Sequence, residues 1–221
     1  MKALKISTLA AILTISLSGL AAAQGSASLS AIHGIPGLPM PVDVYVNNDY
    51  AFSFDFAEDF GPVRVPAGDY SIKINLGDVT VLGAKLSLKP GGNYTLIAHL
   101  DDAGSPKVTP FVNNDSALRG DSARLTVRHT AEAPVVDVKL DASLVTYDFP
   151  ASVTIPGLAN SEQIGPITVA GGIYSASLLV QGKEVFDSGN LPLRSGTIYN
   201  VYAIGSYPDT FQLFIKTFEP R

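Results

Sequence analysis

The second half of this chain repeats the first, and that duplication limits its possible folds more than any other feature. Ser122-Ala-Arg-Leu-Thr-Val-Arg-His129 is followed by a loop through Pro134 and then by Val136-Asp137-Val138. Its counterpart is Ser26-Ala-Ser-Leu-Ser-Ala-Ile-His33, a Gly/Pro loop, and Val42-Asp43-Val44. In both copies a small polar start leads through alternating apolar residues to a His. Further landmarks follow in the same order: His33 and His129 are 96 residues apart, Asp43 and Asp137 94, Tyr70 and Tyr174 104, Tyr94 and Tyr199 105. About ten residues are therefore added between Asp137 and Tyr174, and 155–164, with its Pro156-Gly157 and Asn160-Ser161, is the expected place for them. Each copy is about 100 residues, long enough to enclose a core of its own.

The period within each copy is two. Tyr70, Ile72, Ile74 and Leu76 alternate with Ser71, Lys73 and Asn75, and Tyr94, Leu96, Ala98 and Leu100 repeat the scheme. Turn signals lie between such runs, as in Asn47-Asn48-Asp49, Pro66-Ala-Gly-Asp69 and Lys89-Pro-Gly-Gly-Asn93. No segment beyond the first 23 residues keeps a helical period. Short strands at such spacing predict an all-β protein of two tandem immunoglobulin-like antiparallel β-sandwiches, 24–115 and 122–221, joined by a polar linker at 116–121. Tyr70, Tyr94, Tyr174 and Tyr199 each enter a strand just after a Gly turn. A Tyr so placed packs its ring at the core edge and bonds its hydroxyl to nearby backbone.

The N-terminus reads as an export signal. Met1-Lys-Ala-Leu-Lys5 is a short basic start, Ile6–Leu20 is apolar, and Ala21-Ala22-Ala23 supplies the small residues of a cleavage site, with processing expected before Gln24. The chain has no Cys, so neither a disulfide nor a lipid-modified Cys is available to it. Loss of Lys2 and Lys5 with residues 1–23 leaves 13 basic against 20 acidic residues. That acidic balance argues against nucleic acid and anionic lipid as partners, and no membrane insertion is expected after cleavage.

The paired elements resemble a known family. A strand ending in His, a Pro-containing loop, Val-Asp-Val and Gly-x-x-Tyr openings, all present twice, are similar to the bacterial family called domain of unknown function 4397. The residues that carry the likeness are Leu29–Tyr45, Pro66–Ile74 and Gly91–Ala98, then Arg124–Val138, Gly171–Tyr174 and Gly196–Ala203. The second copy matches most closely, while the first departs in its Gly34-Ile-Pro-Gly-Leu-Pro-Met-Pro41 loop. The resemblance implies two tandem copies of an exported or cell-surface β-sandwich, and it implies no activity.

The candidate chemistry is sparse. His33 and His129 end core-facing rows, at the rim where strand becomes loop. Their expected role is structural, with ring nitrogens bonded to loop backbone. The competing reading pairs His33 with Asp43 and His129 with Asp137 to hold a metal or polarise a base, but one His and one carboxylate are too few for zinc. His99 lies on the opposite parity from Tyr94, Leu96 and Ala98 and is expected in solvent. There is no Gly-x-Ser-x-Gly elbow, and the carboxylate groups Asp55/Glu58/Asp59 and Asp101/Asp102 sit in turns. Phe52, Phe54 and Phe56 alternate with Ser53 and Asp55, giving one strand an aromatic face that a sandwich core explains and that a ligand or glycan would otherwise explain. No catalytic residue, metal ligand or cofactor is assigned. The reading is an exported, non-enzymatic envelope or surface module that binds another envelope protein or surface component, and it is located in the periplasm, envelope or extracellular space. The alternatives are a small-ligand or carbohydrate binder using the Phe face, and a metal-assisted hydrolase.

Overall fold

The computed structural model describes residues 25–145 and 152–221, which form seventeen β-strands. The export signal expected at residues 1–23 lies outside the described residues. The first half holds β1 (Ser26–His33), β2 (Val42–Val46), β3 (Asp49–Phe54), β4 (Asp59–Pro66), β5 (Gly68–Leu76), β6 (Val79–Leu88), β7 (Asn93–Leu100) and β8 (Pro106–Val112). The second holds β9 (Ser122–His129), β10 (Val136–Val145), β11 (Ser152–Leu158), β12 (Gln163–Ala170), β13 (Gly172–Val180), β14 (Lys183–Asp187), β15 (Leu191–Leu193), β16 (Ile198–Ile204) and β17 (Gln212–Phe218).

Each half makes a sandwich. The first packs sheet β4-β1-β7-β8 on sheet β3-β2-β5-β6, and the second packs β12-β9-β16-β17 on β11-β10-β13-β14, with β15 beside β13. The alternating rows of β2, β5 and β7 (Val42, Val44, Tyr70, Ile72, Ile74, Tyr94, Leu96, Ala98) meet in one core, and their counterparts on β10, β13 and β16 meet in another. The pairings are antiparallel with two exceptions: β1 runs parallel to β7, and β9 parallel to β16. Alternation reports which face a residue takes, not strand direction. A parallel neighbour needs a long crossover, which the strands between β1 and β7 provide.

The register repeats with the topology. His33 lies opposite Ala98, and His129 opposite Ala203. Each half also bulges at the same place in its β1–β4 or β9–β12 ladder. Gly61 and Gly165 sit at these bulges with φ of +88° and +99°, where a Cβ would lie 2.6 Å from Leu29 O and 2.7 Å from Leu125 O; only glycine fits so close to the neighbouring backbone. The pairing also relocates the added residues. Val44 faces Phe52 and Val138 faces Ile155, so Phe52 corresponds to Ile155, 103 positions on. Asp43 and Asp137 are only 94 apart. Nearly all of the insertion therefore falls in the β10–β11 hairpin, ahead of Ile155, and not at 155–164. A hairpin tip can lengthen without disturbing the ladder behind it, whereas residues 155–164 are held in register with β9 and β10.

The four Tyr behave as their positions predict. Tyr70 donates to Pro66 O at 2.6 Å and Tyr174 to Ala170 O at 2.8 Å. The hydroxyls of Tyr94 and Tyr199 accept from the amides of Lys89 and Arg194. Tyr70→Phe is expected to cost about 1 kcal/mol, the usual worth of one such bond. Urea unfolding checks this, and an unchanged midpoint would show that the hydroxyl bond contributes nothing.

The two sandwiches dock through their inner sheets. β7, β9 and β16 are buried along nearly their whole length, so both faces of each are covered. Ile32, Ile97 and Phe111 from the first half pack on Tyr202 and Ile204 from the second. The stack is thus four sheets deep, with β3-β2-β5-β6 and β11-β10-β13-β14 on the outside.

Candidate functional site

The inner-sheet interface gathers most of the buried polar side chains among the described residues. Arg128, on β9, is 1% exposed. Its guanidinium donates from Nη1 to Asn113 Oδ1 at 2.8 Å and to the Tyr202 hydroxyl, from Nη2 to Val112 O at 3.0 Å, and from Nε to Gln163 Oε1 at 3.1 Å. It also lies over the rings of Phe111 and Tyr202, 4.5 and 5.1 Å from their centroids. Every one of these bonded partners is uncharged. Burial accordingly lowers the Arg128 pKa, and the Tyr202 hydroxyl opposes that shift.

Asn113 is the second hub. Its Oδ1 accepts from Arg128 and from Asn200 Nδ2 at 2.9 Å, and its Nδ2 donates to Asn93 Oδ1 and Thr95 Oγ1. The segment 113–121 has no secondary structure, yet its backbone is tied down: Arg124 donates to the carbonyls of Asn114, Ser116 and Ala117. At the margins, Lys216 pairs with Asp59 and Arg221 with Asp115. Lys107 reaches Ser161, and Asn160 donates to both Leu100 O and Ala131 O.

All three His are buried. His99 was expected in solvent, but its strand face is the one covered by the second sandwich, and it is fully enclosed. Its Nδ1 donates to Leu100 O, so Nε2 is the acceptor for the Thr109 hydroxyl. Desolvation lowers its pKa to about 4, helped by the nearby charge of Lys107 and opposed by the Leu100 carbonyl bond. His33 accepts from the Ile35 amide at Nδ1 and packs against the Phe54 ring at 5.3 Å. Its pKa is also lowered to about 4 by burial, against the opposing charge of Asp55. His129 donates from Nε2 to Pro134 O, which leaves the buried Nδ1 without a partner. Burial lowers its pKa, with the Pro134 bond opposing.

The two rim His thus bond loop backbone. Asp43 lies on β2 across from Ser53 and Asn75, and Asp137 accepts from Gly157 N across the β10–β11 hairpin. Neither carboxylate is among the groups that bond the His rings or shift their pKa. Among the described residues no three His, Asp or Glu converge to hold a metal ion.

The aromatic face is divided. Phe54 is buried in the first core and Phe52 packs against it. Phe52 also stacks on Phe60 at 3.9 Å and meets Phe54 edge to face. Phe56, in the turn after β3, packs instead against the inter-sandwich cluster. The face that sequence offered to a ligand is therefore turned inward. Reading by sequence missed Arg128, Asn113 and Tyr202 altogether. The available signal was β16, which is apolar on both parities except at Asn200, the mark of a strand covered on both faces.

The two cores are filled differently. The first retains about 50 Å³ of free space, and the second has a partly open apolar cavity of about 320 Å³.

A family model described as "Domain of unknown function (DUF4397)" matches residues 27–139, a single match that covers the first sandwich and ends within β10. No curated protein matches the sequence. Among solved structures, a Bacteroides ovatus chain described as a candidate cell adhesion protein aligns over 88% of this chain and 98% of its own, at 9% identity and a TM-score of 0.27. The Bacillus anthracis TIE protein aligns over 89% of this chain and 32% of its own, at 12% identity and a TM-score of 0.23.

Proposed function

The chain belongs to the DUF4397 family, and from that premise we propose that it is an exported, non-enzymatic module of the cell envelope or surface that binds another envelope protein or surface component. Residues 122–221 are read as a second copy of the same unit, on the strength of the repeated sheet order and register. The inner sheets are spent on docking the two sandwiches. What remains for a partner is the outer sheets, their edges and the loops at the sandwich ends.

One feature of that surface carries the reading. Strand β6 is ten residues long and forms one edge of its sheet. Its Val79 and Val81 are 64% and 39% exposed, and Met40, in the Pro/Gly loop near the β5–β6 turn, is 49% exposed. An edge strand that carries exposed Val is a ready template for a partner's strand or loop. No helix among the described residues is long and apolar enough to cross a membrane.

The test is photocrosslinking in the native cells, with the reactive group placed at Val79 and, separately, at the solvent-facing Lys183. A reproducible envelope partner joined through Val79 and not through Lys183 is the expected result. A chain released uncross-linked into the soluble exported fraction from both positions would overturn the reading.

A further inference from the structure

We propose that the second sandwich is a binding site for one uncharged hydrocarbon chain of about a dozen carbons, held between its two sheets. The starting observation is a difference between otherwise matching cores. In the first sandwich Phe52 faces Val44 across the β2–β3 ladder, and Phe60 faces Ala31 across β1–β4. The same ladder positions in the second are Ile155, facing Val138, and Ile164, facing Val127. The stacked ring pair Phe52–Phe60 that fills the first core is thus a pair of Ile in the second. Both Ile line the cavity of about 320 Å³, against about 50 Å³ in the first core.

The lining sets the class of ligand. Among the described residues, Leu, Ile, Val and Ala side chains from β9 to β13 and from β15 to β17 supply it, with no polar side chain among them. Such a space does not hold ordered water, which needs two or more polar partners, and an apolar cavity of ~150 Å³ in another protein stays dry and takes up benzene. Twice that volume accommodates roughly a dozen carbons. None of these described side chains can pair with a charge or a sugar hydroxyl, so burial of either is disfavoured. The polar end of any ligand must remain outside. Val153 and Ile155 of β11 and Ile164 and Ile167 of β12 line one side. Both strands are edges of their sheets, so the opening between them is where a chain would enter. The source is either a free medium-chain alcohol or acid or the acyl chain of a membrane lipid. Ligand capture is independent of the partner docking proposed at β6, which lies on the other sandwich.

The test uses residues 24–221 and the uncharged probe N-phenyl-1-naphthylamine, whose fluorescence rises in apolar surroundings; the chain has no Trp to interfere. Saturable enhancement at one probe per chain, displaced by 1-dodecanol, is expected. Ile155→Phe with Ile164→Phe recreates the first core's ring pair and is expected to weaken probe binding at least tenfold while raising the melting temperature. Ala176→Leu, a smaller filling from β13, is expected to weaken it at least threefold and covers the case in which the double variant does not fold. The absence of saturable enhancement in the unaltered chain, or enhancement that survives the fillings, would overturn the proposal. Displacement by phosphatidylcholine vesicles would identify lipid as the source, and displacement by 1-dodecanol alone would identify a free ligand.

Discussion

Arg128→Ala is expected to lower the unfolding free energy by about 3–5 kcal/mol, the order of two hydrogen bonds from a charged donor at about 1.5–3 kcal/mol each. Several losses act together. The carbonyl of Val112 and the Tyr202 hydroxyl each lose their charged donor, and Asn113 Oδ1 keeps only Asn200 and the longer bond from Thr95. The Tyr202 hydroxyl keeps Thr95 and Asn200 as partners, so the cost is that of lost charged hydrogen bonds, not of orphaned acceptors. The guanidinium also gives up its place over Phe111 and Tyr202, worth up to about 2 kcal/mol for a desolvated contact. Arg128→Lys is expected to fall in between. It keeps a charge, but three donors on one nitrogen cannot span Gln163, Asn113, Tyr202 and Val112 as a planar fork does.

The location of the damage is also specified. Val112, Asn113 and Phe111 belong to the first sandwich and its exit, whereas Tyr202 and Gln163 belong to the second. Losing Arg128 therefore unfastens the halves more than it disturbs either core. Urea unfolding is expected to change from one transition to two, and protease cleavage within 113–121 is expected to speed up, since Arg128 holds the start of that segment. An Arg128→Ala chain with an unchanged midpoint and a single transition would show that the network does not couple the sandwiches.

The same interface explains what the sequence made legible. The repeat, the strand faces and the four hydroxyl-bonding Tyr are local properties of a half-buried strand, and each could be read from alternation and turns. The docking of one sandwich on the other is not local. Thr95, Ile97 and His99 on β7, and Arg124, Thr126 and Arg128 on β9, look like ordinary solvent-facing rows because they are mostly polar. They are buried by the facing sandwich: Thr95 and Arg128 meet on Asn113, Arg124 bonds the carbonyls of Asn114, Ser116 and Ala117, and His99 bonds Leu100 O and Thr109, and pairing of that kind leaves no periodic trace. The candidate site was legible in part. The bonds of His33 and His129 to loop backbone agree with their position at the end of a core row. The placement of Phe52 and Phe54 followed from parity, but Phe56 left the strand after Asp55 and joined a different cluster. The cavity in the second sandwich was beyond pattern reading, because Ile155 and Phe52 are equally apolar and differ only in volume.

Burial of the His rings makes stability depend on acidity between pH 6.5 and 4. An unfolded His titrates near 6.5, while His33 and His99 in the fold titrate at about 4. Above pH 6.5 both states are neutral and these groups add no pH dependence. As pH falls below 6.5 the unfolded chain takes up protons that the folded chain does not, so stability falls with pH. The loss levels off once the folded rings also titrate, near 4. At about 1.4 kcal/mol for each pH unit, each of these His withdraws about 3 kcal/mol across the window. His129 adds in the same direction, since burial lowers its pKa as well. The bonding agrees with the sign: His33 Nδ1 accepts from an amide, and His99 Nε2 accepts from the Thr109 hydroxyl, so protonation would break a bond at each. The carboxylates whose pKa is lowered, Asp101 and Asp141, begin below the ordinary carboxylate value and act at lower pH than this window. Together the His terms approach the whole stability of a typical domain, about 5–15 kcal/mol. Urea midpoints measured from pH 7.5 to 4.5 are expected to drop steeply below 6.5, and His99→Asn, which keeps a donor for Leu100 O, is expected to flatten that slope by about a third. A midpoint constant across the range would show that the rings are not held neutral by burial.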